Sequence, residues 1–179
     1  SGFDEYQEHS AWIWEHQALT RARYCAGDRD IGEAFERIRR KILEREREPG
    51  ALAREVLAMR DRIHAAHPNT SGLFDLKHDR GGMIDIEFTV QYLVLAHAHR
   101  HGELTNNLGN IALLGIAAGL GLIPQDLAEG CRNAYRKFRR LQHALRLNGA
   151  QYARVPMEQV AAKSEAVRQL WKTVFAAYL

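Results

Sequence analysis

Apolar residues recur every three to four positions along most of the chain, a spacing typical of amphipathic helices. In the first half, three apolar stripes run from Asp4 to Cys25, from Ile31 to Ile42 and from Leu52 to Ile63. Each stripe is followed by residues that end helices, namely Gly27, the Pro49-Gly50 pair and the loop-like run "HPNTSG". The pattern therefore predicts three helices here.

The second half continues the helical pattern. A strongly apolar helix is predicted from about Gly82 to His101, and "TNNLGNIALLGIAAGLGLIP" predicts a short helix that is apolar on two faces and covered on both. Pro124 suits a first helical position, and a stripe from Leu127 to Leu145 follows it. A last helix is predicted from about Met157, and only "LFDLK" indicates an extended segment. Residues 1–179 are thus expected to form a single all-α domain, an antiparallel, four-helix-bundle-like fold with extra helices.

Composition narrows the class of protein. The chain has 179 residues, 46% of them apolar, which suffices for a core. The 25 basic and 22 acidic side chains alternate, as in "EAFERIRRKILEREREPG", which favours solvated helix faces over specific nucleic-acid binding. Cys25 and Cys131 lie far apart in predicted apolar helices, and no signal peptide or membrane-spanning run is apparent. A cytoplasmic protein with no membrane partner is expected.

Two groups of residues match metal-binding patterns, but neither is predicted to bind a metal ion. Asp28 and Asp30 match the D-x-D pattern of nucleotidyltransferases, but they stand at a predicted helix start, where capping is the favoured role. His97, His99 and His101 share a predicted helix without a recognisable third ligand, so solvent-facing histidines are favoured. No metal site and no complete catalytic site is therefore predicted in this chain.

The stretch "FDLKHDRGGMIDIEFTVQYLVL" exceeds what folding alone requires. Gly81 and Gly82 at a helix start leave backbone N–H groups uncovered, and Lys77 could add a positive charge for an anion. Asp85 and Glu87 lie about 200° apart around a helix and cannot chelate one ion together. The alternative is structural: Asp85 complements the helix dipole and the glycines permit close packing.

A second unusual stretch is "AWIWEHQALTRAR". On one helix, Trp14, Gln17 and Arg21 would form a stripe that joins an aromatic ring to an amide and a guanidinium. The alternative is an intrahelical network in which Trp12 and Trp14 serve as packing residues.

Together these two stretches resemble the bifunctional glutamine synthetase adenylyltransferase/adenylyl-removing enzyme family. Members contain two halves, each with a nucleotidyltransferase domain followed by a helical bundle, and this chain is similar to the bundle of the C-terminal, adenylylating half. The deadenylylating half tends to carry an arginine before its acidic pair, whereas Ile84 precedes Asp85 here. The resemblance implies that the chain is a fragment without its upstream nucleotidyltransferase domain and magnesium-binding aspartates.

The same resemblance implies an activity, transfer of AMP from ATP to a tyrosine of glutamine synthetase, with Mg²⁺ and ATP in the intact enzyme and no cofactor on this chain. Its partners would be glutamine synthetase and the nitrogen-regulatory PII signal protein. The bundle would line the cleft or bind the protein substrate, with Lys77, Gly81, Gly82, Asp85 and Glu87 near the nucleotide. The chain alone is expected to be inactive. The rival hypothesis is a non-enzymatic helical interaction module with weak nucleic-acid binding.

Overall fold

Helices dominate the computed structural model, which describes residues 2–179. The α-helices are α1 (Gly2–His9), α2 (Ile13–Leu19), α3 (Arg29–Leu43), α4 (Pro49–Ala66), α5 (Met83–His97), α6 (Asn110–Gly119), α7 (Gln125–Leu147) and α8 (Ala161–Phe175). The remaining elements are strands β1 (Phe74–Asp75) and β2 (Arg154–Val155) and the 3-10 turns Gly102–Thr105 and Met157–Gln159. The predicted all-α class is confirmed.

Helix α5 lies at the centre of the fold. It packs against α2, α4, α6, α7 and α8, and twelve of its fifteen residues are buried. A helix covered on every side needs apolar residues around its whole circumference, whereas a surface helix needs only one stripe. This explains the almost unbroken apolar run that the sequence shows after the glycine pair. The helix begins near the predicted position and ends at His97, four residues before the predicted end.

The prediction of one helix from Asp4 to Cys25 is wrong, because the chain turns between α1 and α2. The Ser10 amide donates to the Tyr6 carbonyl (2.9 Å) as α1 ends. The Trp12 amide then donates to the Glu15 carboxylate (3.3 Å) at the start of α2. This cap contains neither glycine nor proline, so the apolar spacing ran through the break without a visible signal.

Helix α3 buries only part of the predicted stripe. Ile31 is 69% exposed, whereas Ile42 and the guanidinium of Arg39 are buried. Arg39 donates to the carbonyls of Leu19 (2.9 Å) and Thr105 (3.0 Å), which lie at the ends of other elements. The predicted stripe therefore holds only at its C-terminal end, and a charged side chain occupies the rest of the interface.

The extended segment predicted at "LFDLK" is confirmed. Strand β1 pairs antiparallel with β2, with Phe74 opposite Val155 and Asp75 opposite Arg154. Strand β2 could not be predicted from the sequence, because a two-residue strand is too short to show alternation. After β2, the chain makes a 3-10 turn before α8 begins at Ala161 rather than at Met157.

Helix α6 is only partly covered. Leu113 and Leu114 are buried, but Ile111 and Ile116 are half-buried, so the prediction of two covered faces is wrong for one of them. Within residues 2–179, no helix is both long enough and apolar enough to cross a bilayer.

The two cysteines occupy different environments, and both are free thiols. Cys131 is buried on α7, as predicted, and burial raises the pKa of its thiol to about 12. Cys25 is exposed and lies outside any helix, so the predicted apolar helical setting is wrong for it.

We expect the stability of the fold to decrease as pH falls from about 7 to about 5. Burial lowers the pKa of His16, His78 and His97 below the ordinary value of 6.5. Because the unfolded chain binds protons at these sites more readily, this contribution is complete above the unfolded pKa. It is lost as pH falls from there towards the lowered folded pKa. Thermal unfolding across this pH range measures the effect.

His16 offers the sharpest variant, because its ring bonds the Gln7 carbonyl (3.0 Å) and the guanidinium of Arg47 (3.4 Å). His16→Gln should reduce the slope of melting temperature against pH, whereas the same change at exposed His143 should leave the slope unchanged. A slope that ignores His16→Gln would contradict the prediction.

Candidate functional site

Buried carboxylates order the loop between β1 and α5. The Asp75 side chain accepts the amides of Lys77 (3.0 Å) and His78 (3.0 Å), while its own amide donates to Asp79 (2.8 Å). Burial favours the neutral acid, but these amides and the nearby Arg154 outweigh it and lower the pKa of the Asp75 carboxyl. The loop is therefore a tight, internally bonded turn.

Asp85 is a buried structural carboxylate rather than an exposed one. It is 2% exposed and forms an ion pair with Arg60 of α4, whose side chain is fully buried. Its second oxygen accepts the Gly81 amide (2.6 Å). Arg60 also donates to the carbonyls of His78 (2.9 Å) and Asp79 (3.3 Å), so one side-chain pair joins α4, the loop and α5.

The two glycines permit close packing. Gly81 has φ of +86°, and a Cβ there would lie 2.8 Å from the Ser164 carbonyl oxygen of α8 and closer still to its hydroxyl. A Cβ on Gly82 would lie 2.8 Å from the Asp79 carbonyl and 2.9 Å from that of Leu76. Contacts this short exclude any side chain, so backbone packing accounts for the pair.

The predicted open anion site at this helix start is wrong, because its donors are already used. Gly81 donates to Asp85, and Gly82 donates to the Asp79 carbonyl (3.0 Å). The amides of Met83 and Ile84 donate to carbonyls of the same loop, at 2.9 and 3.2 Å. The side chain of Lys77 is exposed, whereas the carboxylate of Asp85 is buried and paired with Arg60.

A second polar cluster joins the two unusual stretches of sequence. Gln17 of α2 donates to Gln91 of α5 (3.0 Å) in the interior. One turn earlier on α5, Glu87 pairs with Arg21 (3.4 Å) and accepts the hydroxyl of Tyr135 on α7 (2.9 Å). The stretches are therefore direct neighbours in space.

The cluster extends to a partly open surface. Asn110 of α6 donates to the Tyr135 hydroxyl (3.1 Å), and burial together with the Glu87 charge raises the pKa of Tyr135. Arg21 is about half exposed and, with Arg23, lines a cavity of about 290 Å³ beside Asn107. We call Arg21, Glu87, Tyr135 and Asn110 the α5 polar cluster.

Trp14 does not belong to this cluster, so the predicted stripe of Trp14, Gln17 and Arg21 is wrong. Helix α2 ends at Leu19, which places Arg21 beyond the helix. Trp12 and Trp14 are 67% and 50% exposed, so the alternative that they serve as packing residues is also wrong.

The structure gives no support for metal binding by the D-x-D pair or by the three histidines. Asp28 caps α3 by accepting the amides of Asp30 (2.8 Å) and Ile31 (3.2 Å), as the capping interpretation predicted. In the described part of the chain, no three His, Cys, Asp or Glu side chains are grouped to hold a metal ion. Asp85 is not free to bind a magnesium ion, because its carboxylate is paired with Arg60.

The three neighbouring histidines are half-buried, so the prediction that they face solvent is wrong. His97 is the last residue of α5, and His99 and His101 lie in the turn that follows it. Burial and the neighbouring positive groups lower the pKa of His97.

Sequence reasoning missed Arg60, Tyr135 and Asn110. Arg60 lies 25 positions before Asp85, and Tyr135 lies 48 positions after Glu87. Each belongs to an ordinary amphipathic helix, where an arginine or tyrosine carries no local signal of burial. Only the packing of α4 and α7 against α5 reveals these partners.

The chain is similar in sequence to several known proteins. Residues 1–38 match the family model described as "Glutamate-ammonia ligase adenylyltransferase", and residues 50–174 match the one described as "GlnD PII-uridylyltransferase". Curated relatives named "Bifunctional glutamine synthetase adenylyltransferase/adenylyl-removing enzyme" align over almost the whole chain. Identity is 60% over 96% of this chain for the protein of Bordetella bronchiseptica. It is 60% over 97% for that of Aromatoleum aromaticum and 54% over 98% for that of Chromobacterium violaceum.

The chain belongs to the glutamine synthetase adenylyltransferase family. It spans 18 to 19% of the length of these three relatives, so it corresponds to a part of them. The residues that match the second model, 50–174, include α5, α6 and α7 and nearly all of α4 and α8. Both names describe nucleotidyl transfer to a protein.

We expect Asp85→Asn to lower the free energy of unfolding by about 3–5 kcal/mol, because it leaves the buried Arg60 charge without its partner. Urea denaturation of the 179-residue chain measures the loss. Asp126→Asn is the matched control, since Asp126 also lies in a first helical turn but is exposed. Equal, small losses at both positions would show that Asp85 acts only through the helix dipole.

Gly81→Ala should destabilise the chain more than Gly149→Ala does. Both glycines have positive φ, of +86° and +79°, so alanine costs about 1–2 kcal/mol of backbone strain at either position. Only at Gly81 would the added methyl group overlap Ser164, whereas nothing lies within 4 Å at Gly149. Similar melting temperatures for the two variants would contradict the close-packing explanation.

Proposed function

We propose that the intact protein transfers AMP from ATP to a tyrosine of glutamine synthetase, and that this chain is the helical domain that positions the reactants. In this reaction the tyrosine oxygen bonds to the α-phosphorus and pyrophosphate leaves. Relatives that align over 96% of the chain carry the name of this enzyme, which supports the proposal. Removal of AMP, the second activity in that name, is assigned to another part of the intact protein.

The observation that carries this role is the α5 polar cluster. It connects the two sequence stretches on which the family resemblance rests, and it combines a half-exposed Arg21 with a largely buried Glu87 and Tyr135. Interior partners fix the orientation of Glu87 while one end of the ion pair stays accessible. Side chains held in this way are suited to positioning a protein or nucleotide substrate.

Asp85 and Glu87 are unsuited to two-metal chemistry. Asp85 is neutralised by Arg60, and Glu87 is engaged by Arg21 and Tyr135. We therefore assign Mg²⁺ and ATP to the remainder of the intact protein, and the chain alone stays predicted to be inactive. We also propose that the chain belongs to the adenylylating half, and that the intact protein is cytoplasmic and regulated by PII. The exposed Lys77 is proposed to lie near the nucleotide.

The test uses the intact enzyme that contains this chain. Glu87→Gln removes the charge that holds Arg21 but keeps the size and hydrogen-bonding capacity of the side chain. We expect AMP transfer to glutamine synthetase to fall about tenfold, because one charge-assisted contact is worth about 1.5–3 kcal/mol. Arg21→Ala should have a similar effect, and the double variant should add little to either.

The matched control is Arg37→Ala, which removes an exposed arginine of α3 outside the cluster. The melting temperature of each variant separates folding from function, since rates are compared per folded molecule. An unchanged rate for Glu87→Gln and Arg21→Ala would contradict the positioning role.

A uridylyltransferase is the second candidate, because residues 50–174 match a model with that name. The same assay decides between the two when ATP with glutamine synthetase is compared with UTP and PII. Transfer of UMP to PII without AMP transfer to glutamine synthetase would overturn the proposed function.

A further inference from the structure

A groove of about 630 Å³ lies between α4 and α8 and is lined in part by Asp85. Leu57 and Ala58 of α4 and Trp171 of α8 line it, and Tyr178 lies at one end. It contains none of the four residues of the α5 polar cluster. A volume of this size is typical of small-molecule sites, which are apolar clefts with a few placed polar groups.

The polar groups of this groove are mainly basic. Arg54, Arg80, Arg168 and Lys172 line it, and Asp61 and Asp85 are its acidic residues. Their pairing decides how much positive charge is left for a ligand.

Asp61 pairs with Arg80, and Asp85 is already held by Arg60. Arg168 lies 3.8 Å from the carboxylate of Glu165 and donates to the Arg80 carbonyl (3.1 Å), and Arg54 lies 3.8 Å from the carboxylate of Glu48. Within residues 2–179, Lys172 forms no ion pair. The groove thus presents the positive charge of Lys172 beside a floor made by aliphatic side chains and by Trp171, which is 8% exposed.

The dimensions favour a small ligand over a docked helix. Arg54 and Asp61, the outermost lining residues of α4, are seven positions apart, which is about 10 Å along a helix axis. Arg168 and Lys172 span about one turn of α8. A docking helix usually buries several turns, whereas this length matches one flat ring joined to a short chain of phosphates.

We propose that this groove binds a nucleoside phosphate, with the base against Trp171 and Leu57 and the phosphates beside Lys172 and Arg168. Two physical features support this class of ligand. Aromatic rings stack on tryptophan with little dependence on sequence or identity of the base. Ammonium and guanidinium groups are the usual partners of phosphate oxygens in proteins.

Trp171 supplies the measurement. The chain contains three tryptophans, so Trp12→Phe with Trp14→Phe leaves Trp171 as the single fluorescent indole. The 179-residue chain with these two changes is titrated with ADP, adenosine or pyrophosphate. We expect ADP to quench Trp171 with at least about tenfold higher affinity than adenosine or pyrophosphate, because only ADP engages both the floor and the cations.

Two groove variants and one control test the location. Lys172→Glu should weaken ADP binding at least about tenfold, and Ala58→Phe should weaken it by filling the floor without a change of charge. Arg140→Glu makes the same charge reversal at an exposed position of α7 outside the groove and should leave the affinity within about twofold.

Three results would overturn the proposal. The first is that ADP does not change Trp171 fluorescence. The second is that pyrophosphate binds as tightly as ADP, which would indicate simple charge attraction. The third is that Lys172→Glu and Arg140→Glu weaken ADP binding equally, which would place the effect in the net charge of the chain.

Discussion

The ion pair between Arg60 and Asp85 is the contact on which the rest of the site depends. Both groups are taken out of water, and such a pair is tolerated only when further hydrogen bonds satisfy the remaining donors and acceptors. Here the loop carbonyls and the Gly81 amide supply most of them, although the Nη1 nitrogen of Arg60 has no hydrogen-bond partner in the described part of the chain. The pair therefore fixes three elements at once: α4, the loop after β1 and the first turn of the central helix α5.

Residues two positions apart on α5 serve opposite purposes. Asp85 faces α4 and the loop, where its charge is cancelled in the interior. Glu87 faces α2 and α7 and reaches a partly open surface through Arg21. The rotation of about 200° between neighbours at this spacing makes the separation possible. A single short sequence thus supplies both an anchor for the helix and a candidate contact for a substrate.

The sequence predicted a helix, cap or strand correctly where the signal lies within that one element. The α5 start at the glycine pair, the cap at Asp28 and the extended "LFDLK" segment were all visible in this way. The break before Trp12 was invisible, since its cap uses a glutamate that also fits a continuous helix. The family was predictable for a different reason, because long stretches of unusual sequence identify relatives without any knowledge of contacts.

The site was less predictable than the fold, because its chemistry depends on which charges meet. Asp85 looked equally suited to a cleft or a helix start until Arg60 was found beside it. The glycine pair looked like an anion site because sequence shows uncovered amides but not the acceptors that occupy them. In both cases the deciding partner comes from a segment distant in the chain.

The close approach of Gly81 to Ser164 has a consequence for the neighbouring groove. Gly81 packs so closely against Ser164 that α8 cannot move nearer to the loop. The Arg60 side chain holds the same loop to α4. The distance between the two walls is thereby set before any molecule enters. A ligand in the groove would contact a backbone that is already fixed and cationic side chains at the edge of the groove. The entropy lost on binding would therefore come from those side chains rather than from the backbone.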